Sequence, residues 1–292
     1  MSREKAATFP CGGERLLGVF HAPDTPPQTG LVVVVGGPQY RVGSHRQFRL
    51  LADELASHGI AVLRFDCRGM GDSEGEFPGF EHIEPDVAAA VEAMAAEFPS
   101  LRSIALWGLC DATQAICRHA SRDRRIAGVV LLNPWVRSEE SYARTQLRHY
   151  YLSRLTDREF LSKLVKGQLD LKRSGRALFA SLSRALGAAR SRRGGGEDGR
   201  STNPLAQRMA VDLSNFRGRI LLILSGADLT AKEFELAAAG STMWQKLLAE
   251  KRLTRQSLPA ADHTFSRREY RDRVAQWTRE WLGLLSTDGG RP

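Results

Sequence analysis

The sequence has no apolar run long enough to cross a bilayer. Its longest aliphatic stretches, "LVVVV" and "VVLLNPWV", fall far short of the roughly 18–20 residues a spanning helix needs. The opening "MSREKAATFPCGG" is charged and lacks the apolar stretch of a secretory signal. Cysteine is scarce: Cys11, Cys67, Cys110 and Cys117 are spread without metal-type pairing and cannot frame a 292-residue chain with disulfides. These absences predict a soluble protein kept in the cytoplasm with reduced thiols, and no bound metal or other cofactor. Acidic residues are also in deficit, with 42 Lys and Arg against 33 Asp and Glu, a net charge of +9. The imbalance is local. Between Arg137 and Arg193 stand fourteen basic residues against five acids, so the whole excess lies in one segment, which favours an anionic partner. No nucleic-acid-binding motif accompanies it, and nucleic acid is not expected.

What is present is a 42% hydrophobic chain with a regular rhythm. After an N-terminal hairpin in "TFPCGGERLLGVFHAP", short β-branched runs alternate with helical patterns. "GLVVVVGG", "IAVLRFDCRG", "SIALWG" and "IAGVVLLNPW" read as strands buried on both faces. Between them, Phe48, Leu51 and Leu55 share one helical face, as do Val87, Val91, Met94 and Phe98. A third helix is expected in "DATQAICRHA". Strands alternating with helices at this spacing predict a mostly parallel sheet flanked by helices, because a crossover helix is the usual link between parallel neighbours. The rhythm stops over residues 137–206, which read as an inserted basic helical cap ending in the Gly/Arg-rich "GAARSRRGGGEDGRSTNP". It resumes with "RILLILSGAD", one helix around "ELAAAGSTMWQKLLAEK", a weaker strand in "LTRQSLPAAD" and a last helix with an apolar stripe of Tyr270, Val274, Trp277, Trp281 and Leu284. The expected organisation is one domain over 1–292, with its core in 1–136 and 207–285.

In an open parallel sheet, ligands bind beyond the carboxyl ends of the strands. Three residues that follow strands carry the groups acyl transfer requires: Cys110, Asp228 and His263. In "GLCDA", Gly108 and Ala112 stand two places either side of Cys110. Small residues there suit a sharp strand-to-helix turn that pushes its central side chain into a cleft. A helix N-terminus at that point also favours thiolate over thiol. On the pentapeptide alone, a cysteine packed between strand and helix fits as well, as Cys117 should be. For the acid, Glu233 and Asp262 are rivals to Asp228, and Asp66 in "DCRGMGDS" suits the ordering of its own turn.

The runs "GLVVVVGGP", "FDCRGMGDSEG", "GLCDA", "LSGAD" and "ADHTF" together resemble the α/β-hydrolase superfamily over nearly the whole chain outside the insertion. "GGPQYRVGSHRQF", "DCRGMGDSEG" and "WGLCDA" resemble the hydrolase 1 proteins of exosortase A systems, which are tied to exopolysaccharide production. The resemblance implies a catalytic triad of Cys110, His263 and Asp228, with cysteine where most of the superfamily has serine; dienelactone hydrolases are similar in that respect. It also implies an oxyanion hole with one donor from the backbone of Asp111. The superfamily draws its second donor from the residue after a His-Gly pair, but here Gly36-Gly37 stands in that place and Pro38 has no N–H. Gln39 is the substitute.

Chemically, a thiolate attacks activated acyl groups and forms a thioester that water or another acceptor can resolve. The expected activity is hydrolysis of an ester or thioester in exopolysaccharide-linked metabolism, on a small-molecule or lipid-linked acyl substrate. An acyltransferase on the same triad and a non-catalytic scaffold of the same fold are the alternatives. The basic insertion suits a set of solvated amphipathic helices; with its arginines between aromatic residues, the alternative is contact with anionic lipid head groups at the inner membrane or with an anionic glycan or lipid-linked intermediate.

Overall fold

The computed structural model describes residues 3–37, 39–136 and 203–287. At its centre is β3 (Thr29–Val34), six consecutive buried residues. The strand is flanked by β4 (Ala61–Phe65) and β5 (Ser103–Leu109), both parallel to it. Outward from β5 follow β6 (Ile126–Leu132), β7 (Arg219–Ser225) and β8 (Leu253–Leu258), again parallel. On the other side, β1 (Arg3–Cys11) and β2 (Glu14–Ala22) form the expected hairpin, and β2 joins β4 antiparallel. The eight-stranded order is β1-β2-β4-β3-β5-β6-β7-β8. The architecture is the α/β-hydrolase fold.

Alternation along the strands divides the core between the two faces of the sheet. Val32, Val34 and Leu106 face a layer made by α2 (Glu84–Glu97), α3 (Ala112–Ala120), α4 (Pro204–Asn215), α5 (Leu229–Ala239) and α6 (Thr242–Leu248). Leu31, Val33 and Trp107 face α1 (Gln47–Ala56) and α7 (Arg268–Thr287). Edge-on aromatic pairs seat helices on each side: Phe48 against Trp107, with ring centres 5.6 Å apart, and Phe234 against Trp244 at 4.9 Å. Cys117 is fully buried in the first layer.

Three sequence expectations are corrected. The helix expected around "ELAAAGSTMWQKLLAEK" is two, α5 and α6. It breaks at Gly240, and Ser241 starts α6 by accepting the Trp244 N–H at 3.4 Å, because a glycine weakens the helix interior while a serine suits the cap. Helix α4 was not anticipated; Asn203 caps it and Pro204 opens it, and its Met209 and Leu213 are buried. In the α7 stripe Leu284 is exposed, and Leu282 and Leu285 take its place in the core. Of the expected insertion, residues 137–202 lie outside the described residues.

Register decides where the strands end. Val34 pairs with Gly108, Leu109 with Leu132, Leu132 with Ile223 and Ser225 with Leu258. The carboxyl ends of β3 and β5–β8 therefore open onto one rim, and the residues just beyond them share it.

Candidate active site

Cys110 is the first of the two residues between β5 and α3, with its backbone in the left-handed region at φ 64°. A side chain other than glycine is uncommon there and is held by its surroundings. Its N–H donates to the Leu132 carbonyl at 2.9 Å, and its own carbonyl accepts from Thr113 and Trp135 N–H groups, each at 3.2 Å. A Cβ on Gly108 would lie 2.5 Å from Ile116 Cδ1 and 3.1 Å from Ala112 Cβ, so the tight bend requires the small residues that flank it. Cys110 is partly exposed, whereas Cys11, Cys67 and Cys117 are buried. Burial pushes the Cys67 and Cys117 thiols well above the ordinary thiol range and raises Cys11 as well, which makes these three inert at neutral pH.

His263 lies in the loop after β8. Its Nδ1 is 2.9 Å from Asp228 Oδ2. Burial alone would lower its pKa, but hydrogen bonds to Asp228 and to Cys110, with the charges on both, outweigh it and push the imidazole up to about 10. With that pKa, His263 holds its proton at neutral pH. Asp228 caps α5, its Oδ1 accepting from Thr230 N–H at 3.2 Å and its Oδ2 from Ala231 N–H at 3.1 Å. The rival Asp262 spends its carboxylate on the backbone and hydroxyl of Ser266. Glu233, also a rival, is buried on α5, and the carboxylate that meets the imidazole is that of Asp228.

The loop after β3 comes next to the elbow. Gly37 N–H donates to Asp111 Oδ1 at 2.8 Å. The side chain of Gln39 is engaged in its own turn, where Oε1 accepts from Ser44 N–H at 3.1 Å; Pro38 lies outside the described residues. Asp66, fully buried, does order its turn by accepting the Asp72 N–H at 3.1 Å. It also binds the Arg41 backbone at 2.6 Å and pairs with the Arg41 guanidinium, tying the β3 loop to the β4 loop.

Two residues not singled out from the sequence hold the histidine loop. Asn133, buried after β6 at φ 42°, donates from Nδ2 to Ser225 Oγ at 2.8 Å and to the His263 carbonyl at 2.9 Å. Ser225 donates its N–H to Asn133 Oδ1 at 2.8 Å and its hydroxyl to the Asp262 carbonyl at 2.7 Å. An asparagine after an apolar strand is the one local signal; asparagine tolerates the left-handed region better than most residues.

One group among the described residues has a metal-like geometry: Glu4, His21 and Asp53, with ligand atoms within 4.8 Å of one another. His21 Nε2 accepts from Arg64 Nε at 2.8 Å, so the ring proton sits on Nδ1, which faces Asp53 Oδ1 at 3.1 Å. Neither nitrogen keeps a lone pair for an ion, and a guanidinium stands beside the ring. The group reads as a hydrogen-bonded cluster in which only His21 is buried, with Glu4 exposed and Asp53 half-buried.

The sequence matches the family described as Hydrolase_4, serine aminopeptidase S33, over residues 26–185, more than half of the chain. The chain belongs to this family. Among solved structures, this hydrolase is similar to the Pyrococcus furiosus esterase Pf2001, with 15% identity and a TM-score of 0.62 over 97% of this chain and 94% of that one. A dienelactone hydrolase from Anabaena variabilis is similar at 14% identity and TM-score 0.60, covering 97% of this chain and 98% of that one. Est1E of Butyrivibrio proteoclasticus, with ferulic acid bound, is similar at 14% identity and TM-score 0.61, covering 97% and 100%. No curated protein matches the sequence. At these identities the structural neighbours establish the fold. Among the described residues no helix is long and apolar enough to cross a membrane.

Proposed function

We propose that this α/β-hydrolase cleaves an ester or thioester with Cys110 as nucleophile, His263 as acid and base, and Asp228 as the group that orients the imidazole. The observation that carries the reading is the left-handed, partly exposed Cys110 beside an imidazolium held at 2.9 Å by Asp228. The family's description names serine, and this chain has sulfur at the elbow.

In the first half-reaction the Cys110 thiolate attacks the acyl carbonyl, a C–S bond forms, and the carbonyl electron pair moves to oxygen. Backbone N–H groups of Asp111 and Gln39 receive that oxyanion, and such donors contribute most where charge develops. The tetrahedral adduct collapses as His263 gives its Nε2 proton to the departing oxygen or sulfur, leaving a thioester on Cys110 and a neutral imidazole. In the second half-reaction His263 takes a proton from water, the hydroxide adds to the thioester, and the thiolate departs. The carboxylic acid leaves, and the thiolate–imidazolium pair is restored. The exopolysaccharide setting rests on the resemblance of "GGPQYRVGSHRQF" and "WGLCDA" to hydrolases of exosortase A systems.

The test is turnover of short- and long-chain p-nitrophenyl esters and acyl-CoA thioesters by wild type and Cys110→Ala. The substitution should cost on the order of 10⁴-fold in kcat, the scale of losing a triad nucleophile. Equal turnover by both proteins would remove the nucleophile assignment. Repeating the assay with glycerol or a sugar present separates hydrolysis from transfer, since an acyltransferase would yield the acylated acceptor in preference to free acid.

A further inference from the structure

The side chain of Asp111, one residue past the elbow, has a place of its own in the site. It is half-buried, and its Oδ1 crosses to the β3 loop to accept the Gly37 N–H at 2.8 Å. Room for that carboxylate exists because residue 36 is glycine. A Cβ on Gly36 would overlap Asp111 Oδ1 and lie 2.8 Å from both Ala112 N and Leu109 O. Gly36 and Asp111 are thus matched in shape across 75 positions of sequence, and the departure from a His-Gly pair at 36–37 has a steric cause. Gly37 stands two residues before Gln39, so anchoring Gly37 limits how far the Gln39 N–H can stray.

The geometry points to Asp111 as a positioning residue that assembles the oxyanion hole, its backbone N–H serving as one donor while its carboxylate clamps the loop that presents the other. This inference rests on the Cys110 reading above and deepens it. Besides the β3 loop and its own helix, the charged or titratable groups that face the carboxyl are His263 and the buried Cys67. Burial raises the carboxyl above its ordinary range, and the hydrogen bonds from Gly37, Ala112 and Asp111's own backbone N–H work against that rise.

A clamp on the oxyanion hole and a support for the thiolate differ in one measurable respect. Alkylation of sulfur by iodoacetamide creates no oxyanion, while ester cleavage does. Asp111→Ala should therefore lower kcat on a p-nitrophenyl ester by about 10- to 100-fold, somewhat less than loss of a donor outright, with KM within about threefold and the Cys110 alkylation rate within about twofold. Asp111→Asn keeps an acceptor oxygen for Gly37 and should show at least ten times the kcat of Asp111→Ala, which also guards against a simple folding defect. Wild-type kcat in Asp111→Ala would overturn the clamp. So would an alkylation rate that falls in step with kcat, or an Asn variant no better than Ala. Cys110→Ala run alongside keeps the two readings apart: turnover that survives it removes the nucleophile, whereas its loss together with full activity in Asp111→Ala removes only the clamp.

Discussion

Asn133 shows how much of the site rests on single side chains. Its amide joins β6, the end of β7 and the backbone of His263 with three hydrogen bonds inside a fully buried spot. Asn133→Leu leaves Ser225 N–H and the His263 carbonyl without those partners. Each unpaired buried group costs about 1–3 kcal/mol, so chemical denaturation should show a loss of at least about 2 kcal/mol, with kcat falling as His263 loses its anchor. The pH profile is set at the same scale. In the proposed mechanism His263 carries a proton to the leaving group, and with its pKa at about 10 kcat/KM for wild type should hold through neutral pH and decline towards pH 10. Asp228→Asn removes a large part of what raises that pKa, so the alkaline limb should move to lower pH. An unmoved limb in that variant would separate the limb from His263.

At the scale of elements, the elbow depends on β5 and α3 approaching closely. Gly108→Val adds a branched side chain where even one carbon meets Ile116 and Ala112. Overpacking of this kind costs about 1–3 kcal/mol, and because α3 must shift, Cys110 alkylation should slow as well; differential scanning calorimetry and iodoacetamide kinetics read the two effects. Much at this scale was legible in the sequence. β3 and β7 were visible because short runs of Val, Ile and Leu suit strands covered on both faces. The small residues at 108 and 112 marked the turn. The break between α5 and α6 was written as Gly240-Ser241 but masked by apolar residues on both sides, which kept the helical period running. Helix α4 was hidden behind a Gly/Arg-rich stretch, though Asn203-Pro204 is a cap followed by a first-turn proline.

For the whole molecule, the charged pair in the site links folding to pH. The folded pKa of His263 is raised above its unfolded value, so the stability it contributes is complete below about pH 6.5 and is lost as pH rises through about 10. The difference in melting temperature between wild type and His263→Ala should accordingly be largest near pH 6 and shrink towards pH 10. From the basic excess of 137–193, outside the described residues, we propose an anionic membrane partner. Vesicles containing anionic lipid should bind the protein at low salt and release it at about 0.5 M, where screening is strong, while neutral vesicles should not bind. Binding that ignores salt would count against this partner.

By itself, the sequence determined the parallel sheet and the chain order of Cys110, Asp228 and His263, because periodicity, β-branching and small turn residues act between near neighbours. Only the tertiary structure decided that β5, β7 and β8 end on one rim, that Asp228 rather than Asp262 holds the imidazole, and that the Asp111 carboxylate fills the space left open at Gly36. Those outcomes depend on strand register and on contacts between groups remote in the chain, and no local pattern encodes the distance between atoms that only folding brings together.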